Sequence, residues 1–598
     1  MMKGKNNSAL DYRKKNRKKL VKTVVQAIIL LAVGMLLVKT VFVIEQYDEP
    51  NKAQWSNNNG FIALSYFGVD RSGTPKLVAK KQLDQQLKAL QDQGYVTISQ
   101  QDILDFYQKG APLPDKALFL SFEDGRNDSS LFAQPLLEKY NYKATFLSYA
   151  NKMGNSDHKF LQPKDMLKMR KNGYWELGSN GYRLSYINIF DDQGRYIGVK
   201  DENELTNKEH VEYYNHYLMD FIRDENMIPV EDRAKMEARI NGDYKSMADI
   251  YSDRLGFVPN VYMIMHANAL HDGMNPLVAD VNNKNIEQLF KMHFSQEGNA
   301  YNSSEDSLYH LSRVQPAPYW YTNHLLMKIQ KDTGQKMKFV RGDEQRADNW
   351  NRMSGAAEFI DNHIVLTSPP GGSGMLYLKE SERLQDIQFT AKVAGNVVGK
   401  QTIYVRYDQQ KESFIRVMIE NNRLIVEQKQ PGRAVESLFT QQLNDVKWES
   451  KDLAFNKATV YTKEQTAAGA KNDEKEYPVN IQHTRNIDIR VQGDQLNVTI
   501  DKEILLNDQT ISGAVNGGGV ALGSEYSKQN KKDDIYDGVF DDVQVVSLEK
   551  LKKEDSNNSL DSVESVTVYN NQFIGIQKVV NSIERAISDS IDWAIDTF

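Results

Sequence analysis

Between residues 23 and 44 the chain is apolar almost without interruption, TVVQAIILLAVGMLLVKTVFVI. Such a run matches the roughly twenty residues that cross a bilayer core as a helix. Its one charge, Lys39, lies near the far end, where the stem reaches the interface. DEPNKAQWSNNNG (48–60) is polar and rich in breakers, a linker within 45–60. From Phe61 the pattern changes to short apolar runs alternating with helical ones. FIALSYFGV, KALFLSF and KATFLSYA read as buried strands. AKKQLDQQLKALQDQGY carries Leu83, Leu87 and Leu90 on one helical face and ends at Gly94, and LFAQPLLEKYN reads as a second helix. Alternating β and α units over 61–335 predict a parallel sheet or β/α barrel with helices outside. A charged insertion over 185–256, containing EYYNHYLMDFIRDE, reads as helix-rich. From 345 to 550 the runs become short, alternating and separated by turns (HIVLTS, IQFTAKVA, TIYVRYD, LNVTID), the pattern of an all-β sandwich. A polar spacer (551–570) leads to 571–598, where Phe573, Ile576, Val580, Ile583, Ile587, Ile591, Ala594 and Phe598 make an amphipathic helical stripe. The fold class is therefore multi-domain: a transmembrane helix, a β/α barrel, a sandwich and a C-terminal amphipathic helix.

Charge orients this plan. Lys and Arg crowd residues 1–22, whereas EQYDEP follows the apolar run. The positive-inside rule puts residues 1–22 in the cytoplasm and the bulk outside, a single-pass protein of the cell membrane. A secretory leader would carry a small-residue cleavage pattern after a shorter apolar core, and none follows here. A net charge of −6 over 598 residues gives no sign of a nucleic-acid partner. With no cysteine, disulfides, thiolate metal sites and thiol nucleophiles are excluded. The last helix sets Lys578 and Arg585 against Glu584, Asp589, Asp592 and Asp596. That acidic polar face suits its own domains or a protein partner better than an anionic membrane.

The chemistry gathers at LFLSFEDG, where a strand ends in Glu123 and Asp124. Carboxyl ends of strands are where β/α folds place functional groups. Asp124 alternatively caps the following turn. The segment from Phe61 to about Gln330 resembles polysaccharide deacetylases of the NodB-homology type, the carbohydrate esterase 4-like family, nearest its branch acting on biofilm glucosamine polymers. ALSYFGV is similar to the family's opening strand, LPDKALFLSFEDG to its T-F-D-D-G strand, and NGYWELGSNGYRL lies where it carries E-I-G-x-H-[ST]-x-x-H. The resemblance implies a glycoside hydrolase/deacetylase barrel in which Glu123 takes the position of the general base and Asp124 that of a metal ligand. The two histidine positions become Asn180 and Leu184, and the opening-strand histidine becomes Phe67. Leucine cannot ligate a cation and asparagine is a weak zinc ligand, so no metal is expected in the barrel. MLYLKESERLQDIQFTAKVAG and GVFDDVQVVSL resemble the concanavalin-like/laminin-G jelly roll, in which Asp541 and Asp542 are possible calcium ligands.

Three readings follow. A remodelled hydrolase would use Glu123, Asp124 and His266 on an exopolysaccharide or cell-wall glycan, with Glu176, His216 and Asp220 as further candidates. A non-catalytic glycan-binding pseudoenzyme would use Asn180, Tyr182, Asn268, Trp320 and Asn323, since rings stack on sugar faces and amides satisfy hydroxyls. Packing in a core is the alternative use of Trp320 and its neighbours. A structural component of a polysaccharide synthesis or export assembly would need no active cleft.

Overall fold

Strand β1 (Gly60–Tyr66) is buried along its whole length, as its continuous apolar run requires. It pairs in parallel with β2 (Ala117–Phe122), which pairs with β3 (Ala144–Tyr149), which pairs with β4 (Trp175–Gly181). In this computed structural model residues 19–24, 26, 46–154, 159–205, 210–264, 274–447, 479, 481–530, 533–548 and 566–572 are described. After β4 the chain builds a separate antiparallel sheet from β5 (Ser185–Asp191), β6 (Tyr196–Asp201) and β7 (Val211–His216). The barrel resumes with β8 (Val261–Met263) beside β4 and β9 (Met292–Glu297) beside β8. β10 (Tyr301–Ser303) runs antiparallel to β1, and β11 (Leu311–Arg313) lies parallel to β9. Val314 then bridges to Leu64, with Ser65 N–H donating to Val314 O at 2.9 Å, so the sheet curls into a nearly closed barrel.

Alternation sorts the side chains. Phe61, Ala63, Phe119, Leu147, Met263, Phe294 and Leu311 form an inner core, in which Phe119 and Phe294 stack at 5.0 Å. Ile103, Leu104 and Phe106 of the helix Gln100–Lys109 belong to the same core. Ile62, Leu64, Leu118 and Leu120 face outward onto Leu83, Leu87 and Leu90 of the helix Lys80–Asp92. The inward positions turn polar at the carboxyl ends of the strands: Ser65, Ser121 and Glu123, all buried.

The insertion departs from the helix-rich expectation. Its first half is the three-stranded sheet, and only Arg233–Leu255 is a long helix. The run expected to be helical holds β7, because Val211, Tyr213 and Tyr214 pack among the aromatic side chains of β5. The sandwich is as expected, a seven-stranded and an eight-stranded sheet over one shared core, with all but one of their strands between Trp350 and Ser547. The eighth strand of the larger sheet, Val566–Asn570, lies in the stretch read as a spacer. Apart from residues 23, 24 and 26, the apolar run 23–44 lies outside the described residues, as does the helix expected at 571–598 apart from 571 and 572. Among the described residues no helix is long and apolar enough to cross a membrane.

Candidate functional site

The site is built where β2 ends. Glu123 follows the inward positions of that strand and its side chain is buried in the barrel mouth, 1% exposed. Its Oε1 accepts from Ser65 Oγ at 2.7 Å and from Arg313 Nε at 3.1 Å. Arg313, also 1% exposed, reaches in from β11 and donates through its other nitrogens to Ile264 O at 3.1 Å and Gln296 O at 3.4 Å. Burial lifts the Glu123 carboxyl above its ordinary value, while Arg313 and Ser65 pull it down. Glu123 Oε2 and the hydroxyl of Tyr149, at the end of β3, are buried without a hydrogen-bond partner. Burial, with Asp124 and Glu123 adding to it, holds the Tyr149 hydroxyl protonated.

The next residue turns the chain sharply. Asp124 has φ 68° and Gly125 φ 69°, so two left-handed residues reverse the backbone into the helix Asn127–Tyr140. For a residue with a Cβ that conformation costs about 1–2 kcal/mol, and it persists only where the surroundings enforce it. Asn180 supplies the enforcement. Its Oδ1 accepts from Asp124 N–H at 2.9 Å and its Nδ2 donates to Met263 O at 2.8 Å, tying β2, β4 and β8 together. The Asp124 carboxylate is thereby aimed at two cations. Lys152 Nζ lies 2.5 Å from Oδ1 and Arg126 3.5 Å from Oδ2. Lys152 also lies over the rings of Tyr149 at 4.5 Å and Phe160 at 4.8 Å, with Glu202 at 3.7 Å.

These residues do not fit a zinc ion. Asp124 is engaged by an ammonium and a guanidinium, the amide of Asn180 is committed at both ends, and Leu184 is a buried apolar side chain. Among the described residues no three acidic or imidazole side chains cluster as metal ligands.

The structure therefore brings together Glu123, Asp124 and Asn180, with Tyr182 beside them through Asn151 N–H, which donates to Tyr182 O at 3.0 Å. His266 and Asn268 lie outside the described residues. Trp320 and Asn323 stand elsewhere, where the barrel meets the sandwich. Trp320 Nε1 donates to Asp533 at 2.8 Å, and Asn323 exchanges two 2.8 Å hydrogen bonds with the backbone of Val340. Glu176 accepts from Gln100 N–H at 2.8 Å near the start of β4, His216 Nδ1 accepts from Leu218 N–H, and Asp220 pairs with Arg223. In the sandwich, Asp541 pairs with His363, and Asp542 with Lys392 at 2.8 Å. Both possible calcium ligands are thus paired with basic side chains. Sequence reading missed Ser65, Arg126, Lys152 and Arg313. Ser65 lies near the end of β1, and each of the three cations ends or follows a barrel strand, where a search of charged residues at strand ends finds them.

Comparison with known proteins concerns the part of the chain that holds this site. Residues 110–223 match the family model described as polysaccharide deacetylase. YxkH of Bacillus subtilis (strain 168), assigned by name to the polysaccharide deacetylases, is 29% identical over 110 residues, 18% of this chain and 38% of that protein. The poly-β-1,6-N-acetyl-D-glucosamine N-deacetylase of Escherichia coli (strain K12) is 29% identical over 125 residues, 20% of this chain and 18% of that one. The chain thus spans well under half the length of these relatives. A solved de-N-acetylase from Aggregatibacter actinomycetemcomitans aligns at a TM-score of 0.35 and 17% identity, covering 44% of this chain and 98% of its own. The stretch that matches the polysaccharide deacetylase model thus lies in a β/α barrel joined to a β-sandwich.

Proposed function

We propose that this chain binds an exopolysaccharide of the poly-N-acetylglucosamine type without deacetylating it. The observation that carries the reading is the Lys152 ammonium 2.5 Å from Asp124, the one metal-ligand position that keeps an acid. An ammonium there compensates the carboxylate and competes with any cation for it. The general-base position is similarly engaged, since Glu123 is held by Arg313 and Ser65. The E. coli relative's name supports the choice of polymer. The basic flank and apolar run at 23–44 support attachment to the outer face of a membrane, where such a polymer is met. The test is incubation of the full chain with poly-β-1,6-N-acetyl-D-glucosamine. Retention on the polymer with no acetate and no new reducing ends is the expected outcome. Release of acetate that stops in Asp124→Asn refutes the reading.

A hydrolytic second reading rests on Glu123. Its carboxyl is buried in the barrel mouth with one oxygen unpartnered, and desolvation raises it, as in a general acid. It requires the protein to shorten the polymer and Glu123→Gln to abolish that shortening.

A further inference from the structure

The outer face of the seven-stranded sheet carries an array of aromatic rings that the barrel's chemistry does not use. Leu376, Ile403, Ile415, Val417 and Val426 enter the sandwich core. By the alternation of a strand, Tyr377, Tyr404, Phe414, Arg416 and Glu427 therefore stand on the opposite, outer face. The register lines them up across neighbouring strands. Tyr377 and Tyr404 lie on either side of Ala521, Tyr404 is opposite Arg416, and Arg416 is opposite Glu427. Tyr407 joins them through a bulge, in which Arg406 has φ 50° and the pairing slips between Tyr404 and Tyr407. The rings succeed one another: Tyr377 to Tyr407 at 6.1 Å, Tyr407 to Tyr404 at 5.5 Å and Tyr404 to Phe414 at 5.4 Å. All four are only partly buried. The floor between them is small, Gly519, Ala521 and Gly523 along one strand. A Cβ at Gly519 would come within 2.2 Å of the Tyr377 hydroxyl, so this ring position depends on the glycine.

Charges around the array come largely as matched pairs, with Glu382 in addition beside the Tyr377 hydroxyl. Arg416 lies over Phe414 at 5.1 Å and is held by Glu427 at 2.5 Å, Lys411 is held by Asp408 at 3.0 Å, and Lys429 by Glu412 at 2.8 Å. The surface is thus aromatic and narrow, and most of its charge is paired internally. Ring faces are electron-rich and meet the C–H face of a pyranose, while hydroxyls at their edges and the Arg416–Glu427 pair meet its oxygens. A contiguous set of partly exposed rings, unlike scattered exposed ones, marks a contact surface.

We propose that this face is a second binding site, for a segment of an uncharged pyranose polymer laid along the four rings. The inference rests on the polysaccharide reading given for the barrel, and locates a contact outside it. Affinity electrophoresis of the full chain through gels containing poly-β-1,6-N-acetyl-D-glucosamine tests it, with circular dichroism confirming the fold of each variant. The double variant Tyr404→Ala/Tyr407→Ala is expected to lose about tenfold in affinity, while Tyr404→Phe/Tyr407→Phe, which keeps both rings, stays close to the unaltered protein. Equal retardation of the folded alanine variant and the unaltered protein overturns the second site and leaves the barrel reading standing. No retardation of the unaltered protein overturns the polysaccharide reading itself. Loss in the phenylalanine variant as large as in the alanine variant also overturns the stacking site.

Discussion

Asp124 carries the argument at the scale of single residues. It holds a left-handed backbone, receives Asn180 on its N–H and two cations on its carboxylate. Lys152→Ala leaves that carboxylate buried with only the more distant Arg126, and a half-broken buried pair costs about 3–5 kcal/mol. A drop of that order in chemical unfolding is expected, with Asp124→Asn/Lys152→Met recovering most of it. Losses in the two single variants that simply add would mean the pair is not coupled. Asn180→Ala removes both ends of the tie to Asp124 and Met263 and is expected to cost about 1–3 kcal/mol, read as a lowered urea midpoint. Unchanged stability in Asn180→Ala would show that the turn at Asp124 is held by something else.

Elements differ in how legible they are. β1 to β3 could be read because their apolar runs are continuous and each ends at a turn, and the sandwich strands because they alternate. The insertion misled because Tyr213 and Tyr214 suit a helix face or a strand equally well by pattern, and long-range pairing with β5 decided the matter. Glu123 and Asp124 were found as candidates because two acids closing a buried strand are unusual. Lys152 was not, because a lysine in a short turn after β3 looks like any solvated lysine until the fold lays it on Asp124. Trp320 was read as a sugar platform, and the fold instead stacks it on His324 at 4.4 Å against the sandwich.

At the scale of the whole molecule, the barrel and sandwich are joined through His324. Its two nitrogens lie 2.9 Å from Asp533 and 3.0 Å from Asp537, and Asp537 also accepts from Thr367 Oγ1 at 2.6 Å. Burial works against the imidazolium, but the two carboxylates outweigh it and push His324 up from 6.5 to about 10. Since the folded value is raised, this stabilisation is complete below pH 6.5 and is lost as the pH climbs towards about 10. Glu176 and Glu358, each lifted by burial from 4.5 to about 7, subtract stability over the lower window between those values. The thermal midpoint is therefore expected to fall above pH 7, and His324→Gln to lower it at pH 7 and flatten the alkaline slope. An unchanged alkaline slope in His324→Gln would remove His324 from the account. The central claim, that Lys152 stands in place of a metal, is tested most directly by zinc content. The full chain is incubated with excess zinc, desalted and assayed by elemental analysis beside Asp124→Asn. The account predicts no retained zinc in either protein. One equivalent held by the unaltered chain and lost in Asp124→Asn would contradict it.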